Sequence, residues 1–432
     1  MNMAIRFLVC AALLGLALAR GESQEVQPLA LEQAHEMALR NHPLITVADL
    51  KALAAREVTK EARAAYLPNF SANVVAVGTA DNNTRLGAIG ALNNPSIFNR
   101  NAEGLIISQL ITDFGRTANL TGSAKLRAEA EANNARATRE QILLAVDSAF
   151  YSAAEAQAVT RVAQQTITNR QTLLDYLTAM ADKKLKSELD VSFGRVNLED
   201  AKLLLSKAQN DLQASFTQLS TLLGEREAKS YQLVEQPLPT TVSTNAAEYV
   251  QQGLAHRPDL ISAREQQQSA VKFAKAERAA RYPSIAAVAS AGVVPVHDPE
   301  LPDAYAAAGV VLNVPVFSGG LLTARQREAE LRAEAAAAIV RDLEDNAIRD
   351  VRVAWLNAQN AFDRYQISGQ LLDNARQSYD LAYARYKNGL SSIVELNQAE
   401  LNRVSAEITY TTTQYEYLTQ RSALSFQTGA LR

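Results

Sequence analysis

Two kinds of hydrophobic pattern alternate along the chain. All twelve prolines lie within residues 28–95 and 237–302 or at Pro315, so 96–236 and 316–432 contain none. Proline breaks helix interiors, which makes these two blocks the places where long helices can run. The pattern predicts a helix over 117–182, about 100 Å long at ~1.5 Å per residue, and a counterpart over roughly 323–386. Each ends in a tight turn, near "DKKLKSELD" (182–190) and "YKNGLSSIVEL" (386–396), and returns as a second helix. In the first return Leu198, Leu205, Leu212 and Leu219 recur every seven residues, with Ala201, Ala208, Ser215 and Leu222 three places on. In the second, Leu401, Ile408 and Tyr415 alternate with Val404, Thr411 and Leu418. These are coiled-coil seams, so each block is a helical hairpin.

Ahead of each block the period changes. "NFSANVVAVGTAD" and "NAEGLIISQLITDF" precede the first, "SIAAVASAGVVPVH" and "AYAAAGVVLNVPVF" the second. Small polar and apolar residues interleave over lengths that suit strands crossing a membrane, joined by polar loops. The alternation is imperfect, and a pair of soluble β-hairpins is the other reading. If the strands lie in lipid, four cannot close a barrel and an open edge is not viable there, so several chains must pool them.

The two blocks belong to a duplication. "EARAAYLPNF" (61–70) returns as "AERAARYPSI" (276–285), and Pro43 and Pro68 return 215 residues later as Pro258 and Pro283. Farther on, "DFGRT" (113–117) answers "SGGLL" (318–322), "SELDV" (187–191) answers "SIVEL" (392–396), and Gly224 answers Gly429, each 205 residues apart. The ten missing residues fall in a loop that holds "NNTRLGAIGALNNPSIFNR" in the first copy. A unit of about 200 residues therefore occurs twice. We expect a leader over 1–22, repeat 1 over 23–228 (β-hairpin about 69–114, helical hairpin about 117–223), a linker over 229–244, and repeat 2 over 245–432 (β-hairpin about 284–317, helical hairpin about 321–428). Pro68 and Pro283 mark the change from helix to strand in each copy.

Charge and termini narrow the classes. With 43 basic and 46 acidic residues the net charge is −3, which argues against a partner bound through nucleic-acid phosphates. Arg6, the apolar run Phe7–Leu18 and the "ALA" at 17–19 predict a cleaved secretory leader, the run being too short for a stable bilayer span. The only cysteine, Cys10, lies inside it, so the exported chain has no disulfide and no thiolate. His35, His42, His256 and His297 are scattered without metal-ligand spacing. No catalytic motif stands out; we expect neither an enzyme nor a cofactor.

The duplication, the opening helix "LALEQAHEMALRNHP", "LPNF" at a strand start, "DFGR" and "FSGG" at strand exits, and "ARYKNGLSSIVEL" at a helical tip together resemble the TolC-like outer-membrane efflux protein family. The resemblance covers the whole mature sequence. It implies an α+β, mostly α fold: long antiparallel helical hairpins form a periplasmic α-barrel, continuous with a β-barrel to which each of three chains gives four strands. It further implies a homotrimer in outer-membrane lipid, with a long periplasmic extension. Such a channel is the passive exit duct of a tripartite efflux pump or type I secretion system, docked on a periplasmic adaptor and coupled to an inner-membrane transporter.

The resemblance also assigns residues. Asp190 and Glu395 match acidic positions that face the pore at the periplasmic constriction, and threefold symmetry turns each into a carboxylate ring; both also suit the positive end of a helix. A second acidic position of the family is Gln398 here. Tyr386 matches a residue that ties hairpins together in the closed state, though a packing tyrosine reads the same way. Gly389, Leu390 and Ser391 match the adaptor-facing turn, where glycine permits left-handed backbone. In copy one Lys184, Leu185 and Lys186 take these places without a glycine and, with Lys183, make a basic knob, suited to an acidic adaptor surface or simply solvated. Trp355 and the tyrosines Tyr379, Tyr383, Tyr410, Tyr415 and Tyr417 are read as helix packing. The competing function is a non-conducting coiled-coil tether of the cell envelope.

Overall fold

The computed structural model describes residues 27–77, 100–235, 237–238, 245–296 and 302–431. The expected leader with Cys10, nearly all of the loop at 82–100, the end of the expected linker and His297 lie outside the described residues. Among the described residues, no helix is long and apolar enough to cross a membrane.

One series of elements occurs twice. After β1 (Gln27–Leu29) come α1 (Leu31–Asn41), α2 (Pro43–Ala64), β2 (Asn69–Val77), β3 (Arg100–Thr112), α3 (Arg116–Asp182) and α4 (Glu188–Leu222). After β4 (Tyr231–Leu233) come α5 (Ala246–His256), α6 (Pro258–Ala279), β5 (Ser284–Val296), β6 (Ala304–Asn313), α7 (Leu321–Lys387) and α8 (Ile393–Gln427). Matching helices have equal lengths of 11, 22, 67 and 35 residues. The fold is α+β and mostly α. α2 and α6 stop four residues before Pro68 and Pro283, as expected of a residue that resists helix continuation.

The chain divides into two compact units, and each draws on both copies because α3 and α7 contribute to both. The first, here the sheet unit, takes Pro43–Gln141, Thr244–Trp355 and Ser425–Arg432. The second, the tip unit, takes residues up to His42, Ile142–Ser243 and Leu356–Leu424.

In the sheet unit the strands run in the order β2-β3-β5-β6, all antiparallel. Pairing sorts the imperfect alternation. Phe70, Ala72 and Val74 share a face with Leu105, Ile107, Ala289, Ala291, Ala306, Ala308, Val310 and Leu312, and Glu103 is its one charged residue. The other face is the more polar one: it carries Asn69, Ser71, Asn73, Ser108, Ser290, Tyr305 and Asn313, with Val75, Ile106, Leu110, Val288 and Val311 among them. The apolar face is uncovered: Phe70, Val74, Leu105, Val310 and Leu312 are each 60% exposed or more. Below the sheet α2 and α6 pack on the first halves of α3 and α7, with a buried Ser123–Ser269 hydrogen bond (2.9 Å) and an Arg264–Glu344 ion pair (2.7 Å).

In the tip unit β1 and β4 pair in parallel, and the Gln157 side chain bonds both Tyr231 O and Leu233 N. His35 meets the buried Asp147 carboxylate at 2.5 Å, a structural partner for one of the scattered histidines. The seam of α4 buries Leu198, Ala201, Ala208 and Leu219. On α8 the buried side is Leu396, Ala399, Glu400, Val404, Thr411, Tyr415 and Leu418, while Leu401, expected in the seam, is 48% exposed. A straight helix drifts against a seven-residue repeat, and here the drift turns Glu400 inward in place of its neighbour.

Candidate functional site

Both hairpin turns use the same backbone device. Leu185 N donates to Met180 O (2.9 Å) and Lys184 N to Ala181 O (2.8 Å); 205 residues on, Leu390 N donates to Arg385 O (2.8 Å) and Gly389 N to Tyr386 O (3.1 Å). This is the helix-ending arrangement that needs one left-handed residue. Gly389 has φ 74°, and Lys184, without glycine's freedom, is held at φ 58°. The return helices are capped by side chains: Ser187 Oγ accepts from Leu189 N, and Ser392 Oγ from Glu395 N. Leu185, Leu189, Leu390 and Val394 stay exposed around the turns.

The two tips are packed against one another. Leu177 and Val191 from the first hairpin join Ala382, Tyr386, Ile393, Leu396 and Ala399 from the second in one apolar cluster. Gly194 lets α4 approach α3, since a β-carbon there would lie 3.1 Å from Leu177 and 3.2 Å from Leu174.

On this cluster sit the residues singled out in the sequence. Tyr386 is 2% exposed, and its hydroxyl donates to Asp190 Oδ2 at 3.4 Å, joining the two copies. Burial, and then the negative charge of Asp190, push the Tyr386 phenol up from its ordinary value, so it stays a neutral donor. Lys186, expected in the basic knob, instead holds its ammonium 3.7 Å from the centre of the Tyr386 ring. Glu395 faces Arg385 at 3.6 Å, and Arg385 also reaches Leu390 O at 3.5 Å. The structure thus brings together Asp190, Tyr386 and Lys186, and pairs Glu395 separately. Gln398 is exposed and bonds Asn402. The Ser391 hydroxyl is buried without a hydrogen-bond partner.

A second tie between the copies was not foreseen. Arg170 on α3 pairs with Glu400 on α8 at 3.4 Å, with side chains 5% and 3% exposed, and its guanidinium also donates to Asn197 O. Beside them Arg403 stacks over the Tyr379 ring at 4.8 Å and pairs with Glu407, which also meets Arg376. Burial raises the Tyr379 phenol pKa, and Glu400 adds to the rise. Of the tyrosines read as packing, Tyr415 and Tyr417 are buried and Tyr410 meets the ring of Tyr365, whereas Tyr383 is 41% exposed.

In the sheet unit, aromatic residues gather where the strands begin and end. Tyr66, Phe70, Phe114, Tyr282 and Phe317 are 43–90% exposed, and Phe114 and Tyr282 meet with ring centres 6.0 Å apart. An apolar face rimmed by exposed aromatics is the surface of a membrane β-barrel at its interface with water.

The model of the family described as "Outer membrane efflux protein" matches residues 34–225 and again 249–430, once per copy. The chain belongs to the outer membrane efflux protein family. It is 24% identical over 396 residues to the toluene efflux pump outer membrane protein TtgC of Pseudomonas putida, covering 88% of this chain and 78% of that one. It is 25% identical over 390 residues to the solvent efflux pump outer membrane protein SrpC of the same species, covering 88% and 80%. The crystal structure of the outer membrane protein VceC of Vibrio cholerae superposes with a TM-score of 0.77 at 20% identity, over 92% of this chain and 96% of that one. The fold is TolC-like, and family membership places the chain at the outer membrane.

Proposed function

We propose that three copies of this chain form a passive outer-membrane exit duct for a tripartite efflux pump, closed at the periplasmic helical tips. The observation that carries it is the four-stranded sheet, apolar and uncovered on one face, with β2 and β6 as unpaired edges. In lipid such edges must be paired, and twelve strands from three chains pair them all. The polar face then lines the lumen. At the tips the Tyr386–Asp190 bond and the Lys186 contact hold the two hairpins of each chain together, and threefold symmetry gathers Asp190 and Glu395 into carboxylate rings that favour cations. With Gln398 at the family's second acidic position, the second ring is uncharged.

The exposed turns, Lys184–Leu185 and Gly389–Leu390, present a docking surface to a periplasmic adaptor, which links the duct to an inner-membrane transporter supplying the energy. Efflux is favoured over protein secretion by the similarity to pump components named for toluene and solvent efflux. Single-channel conductance in a planar bilayer tests this reading, with wild type beside an Asp190→Ala, Glu395→Ala double variant. A small cation-preferring conductance that rises in the variant is expected. No conductance from either protein after confirmed insertion would favour the tether.

A further inference from the structure

At one level of the sheet, Gly104 on β3, Gly292 on β5 and Tyr305 on β6 are successive register partners, and all three lie on the polar face. A β-carbon on Gly104 would collide with the Tyr305 hydroxyl and lie 3.2 Å from its Cζ. One on Gly292 would lie 2.8 Å from the same hydroxyl. The phenol is therefore laid across β5 with its hydroxyl over β3, on a floor that carries no side chains. Tyr305 is the only aromatic residue on that face among the described residues. One position along, Ala307 faces Ser290, which pairs with Ile106, so no such floor exists there.

The two glycines are needed for different reasons. At Gly292 a β-carbon would also meet backbone, the Glu103 carbonyl and Gly104 Cα at 2.7 Å, so close strand approach alone requires it. Gly104 has no left-handed φ to explain it. A β-carbon there would stand 3.1 Å from the Ala291 carbonyl, which has to give by a few tenths of an ångström, but its main conflict is with the far end of a tyrosine, a group that moves aside by rotating off the wall.

We infer that Gly104 and Gly292 are a seat that holds Tyr305 flat against the wall of the lumen, and that this seat sets the bore at that level. The inference rests on the conduit reading of the sheet, in which three chains place three such phenols at the same depth. With the seat filled, all three rings turn toward the axis together and narrow the passage for bulky cargo.

The test uses the full trimer in a planar bilayer, with the Asp190→Ala, Glu395→Ala variant as background so that the tips do not limit the current. Gly104→Ala in this background is expected to lose conductance, and adding Tyr305→Ala to regain it. Tyr305→Ala alone is expected to stay at the background level, because a seated ring is already out of the way. A Gly104→Ala channel that conducts like the background overturns the inference. So does a Tyr305→Ala channel that conducts distinctly more than the background, which decides the matter even if Gly104→Ala fails to give a heat-modifiable trimer. A background that inserts and does not conduct removes the conduit reading, and the inference falls with it.

Discussion

Lys184 and Phe114 are the two non-glycine residues with left-handed backbone among the described residues, at φ 58° and 57°. Their counterparts 205 residues on are Gly389 and Gly319, at φ 74° and 59°. The same turns thus occur twice, and copy one puts a side chain where copy two has none. At Phe114 the side chain has a use: its ring meets Tyr282 in the aromatic rim of the sheet. Lys184 is exposed at the tip, and left-handed backbone costs an L-residue roughly 1–2 kcal/mol, partly offset because glycine is more flexible when unfolded. Lys184→Gly is therefore expected to stabilise the chain by about 0.5–1 kcal/mol. The readout is a higher urea midpoint at unchanged slope for the detergent-solubilised protein. If the basic knob also serves the adaptor, the same variant binds it more weakly while being more stable, which separates docking from folding.

Among helices, the informative contact is Arg170 with Glu400, a charge pair almost wholly removed from water. Removing one partner leaves the other charge buried and alone, which costs roughly 3–5 kcal/mol, whereas replacing both with apolar residues of similar volume is often neutral. Arg170→Met and Glu400→Leu are each expected to lower the unfolding free energy by about that amount, and the double variant to recover most of it, in a double-mutant cycle on urea midpoints. Additive losses would mean that the two residues act separately. This tie was illegible in the sequence for a physical reason: the residues are distant in the chain, and the heptad pattern points to Leu401 as the inward residue next to Glu400. What a pattern of side chains does determine, where long helices run and where the period changes to that of strands, was legible, because proline, glycine and apolar spacing act locally. Tyr386 and Asp190 were legible only as separate positions in a resemblance. Their bond, and the Lys186 ammonium over the ring, depend on how two hairpins pack, which no local pattern contains.

At the scale of the molecule, the question is which solvent each surface meets. The pairing of four strands sorts an imperfect alternation into a mostly apolar face and a mixed face that carries most of the polar residues, and a slip of one residue in any pair would blur that difference. Alanine dominates the apolar face between Ala287 and Ala308, so the surface is smooth and weakly apolar at each position and acquires its character from area. That makes it sensitive to charge. Ala289 and Ser290 are neighbours on β5 and point to opposite faces. Arginine on the lipid face of a barrel near mid-depth costs roughly 2–4 kcal/mol, while a lumen-facing position leaves it in water. Ala289→Arg is therefore expected to reduce the yield of heat-modifiable trimer in the outer-membrane fraction, and Ser290→Arg to leave that yield near wild type while shifting ion preference away from cations. If the two variants behave alike, the sheet does not separate lipid from lumen. If Ser290→Arg is the damaging one, the faces are reversed, Tyr305 points outward with them, and the seat under it has no bearing on the bore.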